Sequence, residues 1–318
     1  MTISESDVRL PLRLRHVTAY ADARAVLDEP LLVPEPAADA AEAAGAPLGS
    51  LAWLRATVAR FTGDVPTHAR RRAQVEAELD ALDPRELRSA AADSAAAGSA
   101  VGADDRHTVV RILAGKLGLP APELTADAVV TVSAGYFGDE LTPAQAEAAD
   151  EAVASLLARI ARADGPKAAA QRIGLLVQAC DATARLVEHA RRAARDAPMP
   201  GGVDALLAQV LRRDPPVTTL RRRALADVRV GATVLRAGDT VLVDVPAAQR
   251  DAAGGADGSG LLTFGAGPHR CPGQAQALAL AAGLLERDFG GTPDTDTDSG
   301  IDTDTDTDAD THQREERA

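Results

Sequence analysis

A mainly α-helical fold with one small antiparallel β-sheet is predicted by three features of the sequence. Aromatic residues make up only 2% of the chain, against 46% hydrophobic residues overall, so the interior must be built from Ala, Leu and Val, which favour helix wherever their spacing is helical. Apolar residues recur at that spacing over most of residues 21–213. Beyond Pro215 and Pro216 the period switches to alternation rich in Val and Thr, the signature of strands. A length of 318 residues allows one large core or two ordinary domains.

The longest helical pattern is KAAAQRIGLLVQACDATARLVEHARRAARD, residues 167–196, with apolar positions at Ile173, Leu176, Val177, Cys180, Leu186 and Val187. At 1.5 Å per residue it spans roughly 45 Å, enough to cross a whole domain. VDALLAQVLRRD (203–214) reads as a shorter helix stopped by the two prolines. RALADVRVGATVLRAGDTVLVDV is punctuated by Gly231 and by Gly238-Asp239, which divides it into a small antiparallel sheet. Glycine-rich coil follows over 250–260, and GQAQALALAAGLLERDF (273–289) returns to helix.

Residues 292–318 form a Thr-Asp repeat with almost no apolar side chain, which cannot offset the entropy of ordering. This divides the chain into a folded unit, 1–291, and a disordered acidic tail. Eight Asp and two Glu against two Arg place most of the net charge of −13 in the tail. That charge argues against nucleic acid or an anionic membrane surface as partner. The start of the chain has no apolar run of secretory length, and no segment has about 18 consecutive apolar residues, so a cytoplasmic location off the membrane is expected. Cys180 and Cys271 are too few for a disulfide framework, and neither lies in a zinc-type spacing.

Chemistry concentrates in LLTFGAGPHRCPGQ (261–274). A cysteine just before a helix N-terminus meets backbone N–H groups and a helix dipole, both of which stabilise a thiolate. Gly265, Gly267 and Gly273 permit turns closed to other residues and let backbone approach a flat partner, while Phe264 is placed to cover the sulfur. The pattern fits a protected anionic sulfur acting as a metal ligand; taken alone, it also fits a buried structural cysteine.

The spacing Phe264-Gly265-x-Gly267-x-His269-x-Cys271-x-Gly273 resembles the haem-binding loop of the cytochrome P-450 family at all six fixed positions. HVTAYADARAVLDEP (16–30) is similar to that family's early strand and helix. GDVPTHARRRAQVEAEL resembles the helix that offers a histidine and an arginine to the haem propionates, which falls on His68 and Arg72. The stretch from Pro215 to Asp251 is similar to its helix-to-sheet region, with the propionate-binding arginine on Arg222. The resemblance covers most of residues 16–289 in family order and implies a truncated P-450-like fold. It also implies haem b, iron protoporphyrin IX, with the Cys271 thiolate as axial ligand. His269 faces a propionate under the same resemblance.

Relatives carry an Ala-Gly-x-acid-Thr sequence on the long central helix, which falls on 179–183 and implies proton delivery by Thr183. Ala182 then takes the acid position, and Asp181, one residue earlier and about 100° round the helix, or a water is expected to substitute for the acid, which makes Asp181 a catalytic candidate beside Thr183. The family's Glu-x-x-Arg brace becomes Gln209 and Arg212, leaving an arginine that needs either water or another carboxylate. These matches imply a monomeric haem-thiolate monooxygenase. It would insert one oxygen atom from O2 into a small apolar or carrier-bound substrate, with electrons from a ferredoxin or flavodoxin. Two alternatives stay open: a haem-thiolate peroxygenase or isomerase, and a catalytically degenerate relative that binds a partner protein.

Overall fold

The computed structural model describes residues 14–34, 45–95, 105–138, 140–161, 164–196, 201–251 and 261–290. The glycine-rich coil over 252–260 and the tail over 292–318 lie outside them. The helices are α1 (Tyr20–Asp28), α2 (Leu51–Thr57), α3 (Val65–Asp80), α4 (Pro84–Ala92), α5 (Asp105–Lys116) and α6 (Pro122–Tyr136). They continue as α7 (Pro143–Ile160), α8 (Pro166–Asp196), α9 (Gly202–Arg213), α10 (Val245–Arg250) and α11 (Gln274–Phe289). Several start where a side chain satisfies an otherwise orphan N–H. Asp64 accepts from Thr67 N and Asp244 from Ala247 N, and Thr142 with Gln145 closes a reciprocal capping box on α7.

The long helix expected over 167–196 is α8, and it runs through the centre of the helical layer, packed by α2, α3, α5, α6, α7, α9 and α11. Its core face is Ile173, Leu176, Val177, Cys180, Leu186 and Val187, all buried. Helix α11 lies so close to α4 that a Cβ on Gly283 would sit 2.1 Å from the Arg88 carbonyl oxygen. Only glycine fits there.

The sheet is larger than the alternating stretch alone. Strands β1 (Leu14–Val17), β2 (Leu32–Val33), β3 (Thr219–Ala224) and β6 (Thr240–Asp244) form one sheet in the order β1-β6-β3-β2, and β4 (Val228–Val230) pairs with β5 (Thr233–Leu235) as a separate hairpin. β3 and β6 pair antiparallel, as expected, but β1 joins β6 in parallel. That pairing joins segments more than 200 residues apart in the chain, which local alternation does not encode. A second apolar cluster, including Leu27, Leu32, Val241, Val243, Leu262 and Ala266, ties this sheet and α1 to the cysteine loop. Arg212 is exposed and Gln209 half-buried, so water solvates the arginine and it has no need of a buried counter-charge.

Candidate haem-thiolate site

The loop 261–273 is shaped by its own backbone. Gly265 N–H donates to the Leu262 carbonyl at 2.8 Å, Arg270 N–H to Gly267 at 3.1 Å, and Cys271 N–H to Phe264 at 2.8 Å. Gly265 and Gly267 both sit at positive φ, 70° and 63°, and a Cβ on Gly267 would lie 2.4 Å from the Leu27 carbonyl oxygen. The loop is therefore pressed onto the end of α1. Gly273 differs from expectation: its φ is −95°, and a Cβ there would meet only Leu79 at ordinary contact distance. Its part in the protein is its N–H, which faces the Cys271 sulfur. Phe264 is half-buried against the helical core.

Cys271 is half-buried one turn before α11. Burial pushes its thiol pKa up, while the Gly273 N–H and the charges of Arg72 and Arg270 pull the other way. An adjacent cation that bonds the sulfur would settle that contest for the thiolate, since a metal-bound thiol is deprotonated.

The four basic residues expected to act together do converge. Nδ1 of His269 lies 3.2 Å from Nε2 of His68, with ring centroids 4.3 Å apart. Arg72, one turn beyond His68 on α3, donates from Nη1 to the Arg270 carbonyl at 2.5 Å and pairs with Glu76 at 2.7 Å. Arg222, from β3, is only 3% exposed, and its Nε makes no hydrogen bond. Burial, then the charge of Arg60, lowers its pKa to about 10. Burial also lowers His269, to about 3, together with His68, Arg222, Arg72 and Arg60, all of them basic. Arg60, in the short 3-10 turn Ala59–Phe61, is a fifth member that the sequence did not single out. Nothing periodic marks it; only the fold brings it to β3.

A buried guanidinium with an orphan N–H costs several kcal/mol unless an anion meets it. These groups fit a ligand that carries carboxylates, as a porphyrin with two propionates does. Arg222, His269, His68 and Arg72 would hold the carboxylates, and Cys271 would bind the iron.

On α8, Thr183 is 2% exposed and its Oγ1 makes no hydrogen bond; the back-bond to the carbonyl four residues earlier, the ordinary fate of a mid-helix threonine, is absent. Ala182 is exposed, and Gln178, Ala179 and Asp181 are half-buried. Asp181 Oδ1 lies 4.0 Å from Arg106 Nη1.

The architecture is that of the cytochromes P-450. No protein-family model and no curated protein matches the chain. Among solved structures, it is similar to CalO2 (TM-score 0.69, 21% identity, 86% of this chain and 82% of that one). It is likewise similar to epothilone B-bound P-450 epoK (0.68, 18%, 86% and 83%) and to P-450 BioI in complex with acyl carrier protein ligated to hexadec-9Z-enoic acid (0.66, 16%, 85% and 82%). At such identities the likeness establishes the fold.

Proposed function

We infer that this protein is a haem-thiolate monooxygenase that inserts one atom of O2 into an apolar substrate. The observation that carries the reading is the meeting of Cys271 with the base cluster of His68, Arg72, Arg222 and His269 around an orphan Arg222 Nε. Bound there, the haem supplies iron-centred oxygen activation, with thiolate electron donation favouring O–O cleavage. The chain's own residues do the rest. The four bases neutralise the propionates, the Gly273 N–H and the start of α11 stabilise the sulfur, and Phe264 limits its access to water. Electrons would come from a ferredoxin or flavodoxin, and the few aromatics leave an aliphatic pocket. Since P-450 BioI is seen with a loaded carrier protein, a carrier-bound acyl chain is one substrate to try. Residues 1–291 would make up the catalytic unit and 292–318 a solvated tail.

A second reading keeps the site and takes hydrogen peroxide as oxidant. It is supported by Ala182, which in the 179–183 placement leaves the acid position without a proton donor.

The test is turnover of apolar and acyl-carrier substrates under labelled O2, with a surrogate ferredoxin and reductase. One labelled oxygen atom per product, absent from a Cys271→Ser variant, is expected. Product formed only with added peroxide selects the second reading; haem-replete protein inert with both oxidants contradicts the proposal.

A further inference from the structure

Helix α8 is enclosed on most sides, so the residues it leaves open show which of its faces can meet a ligand. Around the helix at 100° per residue, the buried positions Ile173, Leu176, Val177, Cys180, Thr183, Leu186, Val187 and Ala190 fall on one side. Gln178, Ala182 and Arg185 fall on the other, with Asp181 on its flank and Ala179 at the edge of the buried arc, and all five are at least partly exposed.

The opening begins one turn beyond Val58 and Tyr136. One turn before Gln178, at Gly174, the same side is closed: a Cβ on Gly174 would lie 2.8 Å from Val58 and 3.3 Å from the Tyr136 hydroxyl. Gln178 donates from Nε2 to the Gly174 carbonyl at 2.9 Å. It is also a polar neighbour of the Tyr136 hydroxyl, on which Arg60 acts as well, although that hydroxyl makes no hydrogen bond of good geometry. Arg60 in turn acts on Arg222 and His269. Geometry links the same groups: the Arg60 guanidinium lies 5.2 Å from the Phe61 ring centroid, Phe61 packs 5.1 Å from the Tyr136 ring, and the Tyr136 hydroxyl abuts Gly174, one turn before α8 becomes uncovered.

Resting on the haem reading, we propose that the pocket face of α8 is Gln178, Ala179 and Ala182 with Asp181 at its rim, and that Thr183 is a core residue. This moves the family's five-residue pattern one position towards the N-terminus from the 179–183 placement. Asp181 then stands in the acid position, Ala182 in the alcohol position, and Gln178 where relatives have a small residue. A ligand on that side of the haem meets an amide and a carboxylate and no hydroxyl. Thr183 Oγ1 has no contact with open space and makes no hydrogen bond, so it reaches no bound ligand while the helix keeps this shape. Gln178, the bulkiest of Gln178, Ala179 and Ala182, becomes the residue that limits ligand size.

Single cysteines placed in the full-length protein test this without turnover. Ala182→Cys and Thr183→Cys are treated with a thiol reagent, before and after haem loading, and modification is read by peptide mass so that Cys180 and Cys271 are scored separately. The expected result is rapid modification at position 182 in the apoprotein, slowed at least tenfold by haem, and none at 183 short of unfolding. Modification and haem protection at 183 overturn the proposal, as does labelling at 182 that bound haem leaves unchanged, since that face would then open to bulk solvent. A chain that takes up no haem sinks the haem reading, yet the 182-to-183 contrast in the apoprotein still decides which residue lies on the open face. Gln178→Ala supplies an independent measurement: 4-phenylimidazole should bind the iron at least tenfold more tightly than to the parent, with imidazole nearly unchanged. Equal effects on both azoles remove Gln178 from the role.

Discussion

Two groups of inward arginines among the described residues differ in how their charge is met. Where α5, α8 and α11 meet, Arg191 and Arg287 face Asp105 and Asp288. Arg191 Nε donates to Asp288 at 2.7 Å, its Nη1 contacts Asp105, and Arg287 Nη2 lies 2.9 Å from Asp288 and 3.4 Å from Asp105. Arg287 Nη1 also donates to Ser94 Oγ at 3.1 Å. Two positive and two negative groups close on themselves. At the cysteine loop, by contrast, Arg222 is as deeply buried and leaves an N–H unmet, among bases. The first group holds three helices together; in the second, Glu76 answers Arg72, and Arg222 is left for an anion from outside. Counting counter-charges, more than counting arginines, separates a structural site from a binding site.

Removing an acid from the balanced group should have the largest effect on folding. Asp105→Ala leaves the buried Arg287 and the half-buried Arg191 to share Asp288 alone, and a loss of about 3 kcal/mol in urea unfolding is expected. A loss under about 1 kcal/mol would mean that the knot is not a core tie. Arg222→Met gives the opposite pattern. The apoprotein should be at least as stable as the parent, because an unpaired buried charge is exchanged for apolar packing, while haem affinity falls about tenfold, or ~1.4 kcal/mol. A destabilised apoprotein with haem affinity intact would place Arg222 among the structural groups.

Smaller effects sharpen the same contrast. Thr183→Val removes a buried hydroxyl that makes no hydrogen bond and keeps its shape, so a gain of about 1 kcal/mol is expected from thermal unfolding. Its haem spectrum and azole affinities should match the parent. A loss of stability would reveal a partner for that hydroxyl.

pH supplies a further measurement on the loop. His269 stays neutral in the folded apoprotein down to about pH 3, whereas an unfolded imidazole takes its proton near 6.5. Between those values the unfolded chain binds more protons, so the contribution to stability is complete above about pH 6.5 and is lost as pH falls towards 3. His68, lowered by burial and then by Arg72, adds to the same slope. Urea midpoints at pH 7 and pH 5 should show this drop, and His269→Asn should flatten it. A propionate facing His269 stabilises its protonated form, so haem-loaded protein should show a shallower slope than apoprotein.

Legibility followed the range of the interactions. Helix α8 was readable almost to the residue, 167–196 against Pro166–Asp196, because an apolar period repeated over eight turns is a local signal. The loop around Cys271 was readable because glycines at fixed offsets encode its turns. The parallel β1–β6 pairing, the knot at Asp105 and the arrival of Arg60 at the site were not, since each joins segments distant in the chain by contacts without periodicity. The facing of 178–183 was lost for another reason. In an Ala-rich stretch with small residues on both sides, a shift of one position changes the hydrophobic pattern little, and only burial distinguishes Ala182 from Thr183.

The central claim is that the Cys271 sulfur, ionised, holds haem iron. Reducing haem-loaded protein under carbon monoxide and recording the Soret band tests it directly. A band at the long wavelength characteristic of thiolate ligation is predicted, absent from Cys271→Ala. Protein expressed with ample haem yet free of pigment, or a band that survives the Cys271→Ala substitution, would contradict it.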